Sequence, residues 1–90
     1  MVTRRVRIRG SVQGVGYRVS LARQARQMGI RGWVRNRVDG SVEAMIQGPA
    51  QDIEALLEWC RHGPPAARVD SVEHAPEPGE FVDFDTLNTA

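Results

Sequence analysis

Apolar and polar positions alternate along residues 4–10, where Val6 and Ile8 stand between arginines in the pattern of a half-buried strand. A glycine-containing stretch, residues 11–17, interrupts it. From Arg18 onward Leu21, Ala22, Ala25 and Met28 recur at helical spacing, with Arg23, Gln24, Arg26 and Gln27 on the other side and Gly29 placed to end the helix. Residues 30–36 alternate again, with Ile30, Val34 and Asn36 on one face and Arg31, Trp33 and Arg35 on the other. Asp39-Gly40 then predicts a tight two-residue hairpin, positive φ at its centre, leading into a third strand over 41–47. Gly48-Pro49 opens a second helix with proline in its first turn. Its apolar stripe is Ile53, Leu56, Leu57 and Cys60, and it stops at His62-Gly63-Pro64-Pro65. Residues 68–75 mix polar and apolar positions on both faces, as an edge strand does, and Phe81, Val82 and Phe84 leave room for a short fifth strand.

The order strand, helix, strand, strand, helix, strand predicts a ferredoxin-like α+β sandwich: an antiparallel sheet of βαββαβ order with both helices on one face. In that arrangement the first two strands run the same way with the third between them. The 11–17 loop and Asn36 therefore fall at the same end of the sheet, two strand spacings or roughly 10 Å apart. Ninety residues without a repeat or a long linker suit one domain spanning 1–90, too small for a large cofactor-binding fold.

Composition narrows the chemistry. All twelve basic residues are arginines, so Schiff-base catalysis and the lysine of a P-loop NTPase are excluded. The single Cys60 excludes an internal disulfide and a Cys-rich zinc site. No apolar run follows the basic residues of the N-terminus, which reads as neither secretory signal nor membrane span, and cytoplasmic residence is expected. Residues 1–38 carry ten arginines and no acid, whereas all eleven acids lie in 39–90. Either the first part attracts an anion or the two parts interleave in the fold and neutralise each other.

The loop before the first helix favours an anion. Gly14 and Gly16 permit conformations in which successive N–H groups point into one concavity, and the helix dipole adds positive charge there, a cup suited to phosphate. An ordinary strand-to-helix turn would need the same glycines for steric reasons alone. Arg18 distinguishes the two, because a cation in the first helical turn opposes the dipole by ~0.3–1 kcal/mol unless an anion sits between them. Its guanidinium can grip two phosphate oxygens at once. Asn36, at the end of an otherwise apolar face, offers a donor and an acceptor with which to hold a water.

Residues 8–18, running Ile8, Gly10, Val12, Gln13, Gly14, Val15, Tyr17 and Arg18 through this loop, resemble the first signature of the acylphosphatase family. Gly32-Trp33-Val34-Arg35-Asn36, followed at family spacing by Gly40, Val42 and Gly48, resembles its second. The resemblance covers the whole chain and implies hydrolysis of a carboxyl-phosphate anhydride to a carboxylate and inorganic phosphate by a small metal-free enzyme; a monomer without a cofactor is expected. By motif position it implies that Arg18 and the backbone amides of Gln13, Gly14, Val15, Gly16, Tyr17 and Arg18 bind the phosphate and that Asn36 orients the attacking water. It further implies that the substrate's own phosphate takes up the water's proton, so no histidine or carboxylate is required in either motif. Three features depart from the family pattern. Tyr17 stands where phenylalanine or methionine is usual, Val19 stands where an aromatic is common, and the segment 81–85 is unusually acidic.

Other signals carry less. His62 and His74 lie on different elements without ligand spacing, Asp83 and Asp85 read as adjacent solvated acids, Trp33 and Trp59 read as packing residues, and Cys60 falls on a buried stripe. The competing functional reading is a non-catalytic anion- or RNA-binding module, since an arginine-rich ferredoxin-like sheet can contact phosphates. The first and third strands lack the aromatic platform that such recognition uses, and no nucleic-acid or membrane partner is expected. An accessory domain of a larger protein is a further alternative.

Overall fold

The computed structural model describes residues 1–90. In chain order the elements are β1 (Val2–Ser11), α1 (Tyr17–Gln27), β2 (Arg31–Asn36), β3 (Val42–Gly48), α2 (Ala50–Cys60), β4 (Arg68–Pro76) and β5 (Phe84–Thr86). They form one five-stranded sheet of order β4-β1-β3-β2-β5. Both helices pack on one face of this ferredoxin-like sandwich. The alternation read from the sequence is the reason: Val6, Ile8, Val34, Val42, Ala44 and Ile46 point to one side and meet Leu21, Ala22 and Ala25 of α1 and Ile53, Leu56, Leu57 and Cys60 of α2 in a single buried cluster. Helix α1 ends as its sequence predicts. Gly29 adopts φ 71°, its N–H donates to the Arg26 carbonyl, and the Ile30 N–H reaches the Ala25 carbonyl at 2.9 Å. No helix is long and apolar enough to cross a membrane.

Four expectations need correction. The sheet is mixed rather than antiparallel throughout, because β5 pairs with β2 in parallel. Strand β4 finishes beside the start of β1, and the chain then crosses the open face of the sheet at that end. Glu77 N–H bonds the Thr3 carbonyl at 3.2 Å, the Gln47 side chain donates to the Gly79 carbonyl at 2.9 Å, and Gly32 N–H reaches the Asp83 carbonyl at 2.9 Å. A strand that starts at this end and lies next to β2 must run in the same direction as β2. Phe81 and Val82 belong to this crossing and not to the fifth strand.

The hairpin joining β2 to β3 is not a two-residue turn. Gly40 N–H bonds the Arg37 carbonyl at 3.1 Å and Arg37 N–H bonds the Ser41 carbonyl at 2.8 Å, leaving Val38, Asp39 and Gly40 in the loop. Only Gly40 has positive φ (93°), so Asp39 stays in the ordinary region and the connection is a turn followed by one left-handed glycine. Pro49, finally, precedes the first helical turn as the N-cap of α2 instead of lying within it.

Candidate active site

The C-terminal ends of β1 and β2 lie on either side of β3, as the topology predicts. There the loop between β1 and α1 and the end of β2 enclose a cavity of about 160 Å³ lined by Gln13, Gly14, Gly16, Tyr17, Arg18 and Asn36, with Val12 and Val19 completing its wall. Of the residues singled out in the sequence, only Val15 is not part of the lining; its partly buried side chain packs against the core.

Gly16 caps α1 with φ 78° and ψ 15°, a left-handed conformation open to glycine at little cost, and Gly14 has φ 75°. No side chain caps this helix and no acid occupies its first turn. The first N–H groups of α1, which begins at the cavity wall with Tyr17, Arg18 and Val19, have no protein acceptor and lie at the positive end of the helix dipole. Arg18 takes part in no ion pair; one Nη1 donates to the Leu87 carbonyl at 3.1 Å, and the rest of its planar fork remains available.

Asn36 ends β2, where its main-chain carbonyl accepts the Ala90 N–H at 3.0 Å. Its side-chain Oδ1 is buried and has no hydrogen-bond partner. An orphaned acceptor of this kind costs about 1–3 kcal/mol, and such groups persist where a ligand or water completes them.

Tyr17, a departure from the family pattern, forms the floor of the loop. It is only 1% exposed, its hydroxyl donates to the Cys60 carbonyl at 2.7 Å, and its ring lies 5.6 Å from that of Trp59. Burial pushes its phenol well above the usual range, so it remains a neutral donor. The hydroxyl thus satisfies a carbonyl at the C-terminal end of α2 and ties α1 to α2 beneath the loop. Tyr17→Phe is expected to lower stability by about 1–2 kcal/mol, because the Cys60 carbonyl stays buried and loses its donor. Denaturant titration measures this, and an unchanged midpoint would contradict the tie. Val19, the other departure, is 56% exposed at the cavity wall.

Several features were not legible in the sequence. Gln13 uses its side chain on the protein itself, donating to the Arg37 carbonyl at 2.7 Å and the Ser41 carbonyl at 2.9 Å. Residues beyond β5 border the site through Leu87 and Ala90. Glu43, on the open face of β3, is fully buried beneath Arg5, Arg7, Arg35 and Arg37. With Arg9, which pairs with Glu73 and Asp39, those four arginines make up half of the ten in residues 1–38, and they interleave with acids from the C-terminal part. A broader groove of about 400 Å³ on that face is lined by Arg5, Arg7 and Arg9 with Glu73, and these cations are already paired. The remaining signals are structural. His62 pairs with Glu58 at 3.2 Å, Trp33 stacks under Arg35 at 4.8 Å, Asp83 and Asp85 are exposed, and burial pushes the Cys60 thiol up to about 12.

Comparison with known proteins shows what this chain is similar to. The sequence profile of the family described as Acylphosphatase matches residues 4–86. An acylphosphatase of Acidovorax sp. (strain JS42) is 54% identical over 77 residues, 86% of this chain and 79% of that protein. The structure of an acylphosphatase from Coxiella burnetii superposes with a TM-score of 0.92 at 33% identity, covering 96% of this chain and 92% of that one. The crystal structure of the Bacillus subtilis acylphosphatase gives a TM-score of 0.88 at 31% identity, covering 97% and 99%.

Proposed function

The chain belongs to the acylphosphatase family, hydrolases acting on acid anhydrides, and from that premise we propose how residues of this chain divide the reaction. Main-chain amides of Gln13, Gly14, Val15, Gly16, Tyr17 and Arg18 seat the phosphate of an acyl phosphate, the Arg18 guanidinium grips two of its oxygens, and Asn36 orients the attacking water. The observation that carries this reading is the meeting, in one cavity, of an uncapped helix N-terminus bearing an arginine in no ion pair and of Asn36, whose buried Oδ1 has no hydrogen-bond partner.

An acyl phosphate is an activated anhydride with a good carboxylate leaving group. Its cleavage asks mainly for positioning and for stabilisation of charge on the three non-bridging oxygens. The amides and Arg18 supply that charge from fixed positions. Asn36 Oδ1 accepts a hydrogen bond from water and turns a lone pair toward phosphorus. The water oxygen bonds to phosphorus as the acyl C–O–P bridge breaks on the phosphorus side, the carboxylate departs, and the water's proton passes to a phosphate oxygen of the substrate. No side chain in the cavity is a histidine or carboxylate, in keeping with a route that needs no protein base. We further propose that residues 1–90 act as one cytoplasmic, monomeric unit that takes a small acyl phosphate, releases inorganic phosphate, and requires neither metal nor cofactor. The nucleic-acid reading is weaker because Arg5, Arg7, Arg9 and Arg35 of the open sheet face are engaged by Glu43, Glu73 and Asp39.

The test is turnover of several acyl phosphates in the presence of a chelator, with phosphate monoesters as the control. Asn36→Ala is expected to lower kcat by about 100-fold while the inhibition constant of inorganic phosphate moves by no more than about threefold. Losses of equal size in both would make Asn36 a phosphate ligand instead.

A further inference from the structure

The loop that seats the phosphate and the strand that carries Asn36 are separate pieces of chain, and in-line attack depends on the distance between them. Residues 12–16 form no main-chain hydrogen bond to the β2–β3 hairpin. The two bonds from Gln13 Nε2 to the Arg37 and Ser41 carbonyls, at 2.7 and 2.9 Å, are the only hydrogen bonds joining them. Both hydrogens of one amide are used. Both acceptors flank the hairpin loop, and Arg37 directly follows Asn36 in the chain.

We propose that the Gln13 side chain is a positioning residue that sets the separation between the phosphate seat and the water held by Asn36, an inference that rests on the roles given to those groups under Proposed function. Gln13 serves the seat through its own main-chain amide, but its side chain faces away from that task. A carboxamide whose two hydrogens are engaged has only Oε1 left at that end, and an acceptor repels phosphate oxygens. The hairpin does not need Gln13 to fold. Arg37 N–H bonds Ser41, Gly40 N–H bonds Arg37, and Asp39 Oδ1 accepts both the Ser41 N–H at 2.9 Å and its hydroxyl at 2.6 Å. Loss of the tether therefore leaves two intact walls free to drift relative to each other, and a drift of about 1 Å is worth about 100-fold in rate when it spoils the angle of attack.

Two variants separate reach from chemistry. Gln13→Asn keeps the amide but shortens it by one methylene, and Gln13→Met keeps the length but has no donor. Each is expected to lower kcat by about tenfold or more while the inhibition constant of inorganic phosphate changes by less than about threefold. In an Asn36→Ala background, Gln13→Met is expected to lower kcat by less than about twofold, because no oriented water remains to be misplaced. Thermal melts of all variants confirm that the fold persists. The inference is overturned if Gln13→Asn or Gln13→Met turns over at the parent rate, if phosphate affinity falls in step with kcat, or if the losses from Gln13 and Asn36 multiply. These results leave the water-orienting role of Asn36 standing. Full turnover by Asn36→Ala alone would instead bring down that role, and this inference with it.

Discussion

Arg18→Ala is expected to reduce kcat/KM for an acyl phosphate by about 10³-fold or more, the range seen when an arginine that neutralises a transferring phosphoryl group is removed. The size follows from isolation. Among the cavity-lining side chains Arg18 is the only cation, and the other arginines near this end of the sheet are held elsewhere, Arg35 and Arg37 by Glu43, Arg9 by Glu73 and Arg68 by Asp70. None can swing in without breaking an existing contact. Arg18 itself is steadied by a single bond to the Leu87 carbonyl, which fixes the guanidinium while leaving further N–H groups for two phosphate oxygens. Arg18→Lys is expected to recover only a small part of the loss, since an ammonium supplies charge without the planar fork. Steady-state kinetics with inorganic phosphate as competitor checks both variants, and phosphate affinity should fall together with turnover. An alanine variant within tenfold of the parent would place the phosphate elsewhere.

The sequence exposes the parts of this site that depend on local rules. Gly14 and Gly16 announce a backbone that side chains would resist, Arg18 violates helix-dipole preference, and the period-two pattern around Val34 carries Asn36 to the correct face. The β1-β3-β2 arrangement then brings them to one end of the sheet. What stays hidden depends on long-range neighbours. Gln13 differs in no local property from any polar loop residue, and its acceptors lie 24 and 28 positions away. The direction of β5 was set by the crossing over residues 77–83, whose anchors at Thr3, Gln47 and Gly32 are unremarkable in composition. Asp39-Gly40 matched two turn geometries, and the choice between them rests on the φ of Asp39. Glu43 is the plainest case. As an outward position in an alternating strand it reads as solvated, and its burial is created by arginines on β1 and β2 that pair with β3 in register, Arg7 and Arg35 directly opposite it.

Glu43→Ala is expected to destabilise the fold by about 3–5 kcal/mol, the cost typical of removing one partner from a buried ion pair. Arg5 and Arg35 bond the carboxylate most closely, each with an Nε at 2.8 Å, while Arg7 and Arg37 approach to 3.4 Å. Without it four guanidiniums, drawn together from β1, β2 and the start of the β2–β3 hairpin, repel one another and the donors turned inward lose their acceptor. Their partial exposure lets them move toward water, which places the loss toward the lower end of that range. For a domain of this size even 3 kcal/mol lowers Tm by more than about 10 °C. Added salt should recover part of the variant's loss by screening the arginines, and a melt within two or three degrees of the parent would refute the account. The same group sets an acid dependence. Burial alone would raise the Glu43 pKa, but hydrogen bonds and charge from Arg5 and Arg35 outweigh it and bring it down from 4.5 to about 2. A carboxyl whose folded pKa lies below its unfolded one contributes its full stability above the unfolded value and loses it as pH falls toward the folded one. The parent should therefore lose stability progressively between pH 4.5 and about 2, and Glu43→Ala should show a shallower decline over the same interval. Parallel curves would assign the acid sensitivity to other carboxylates.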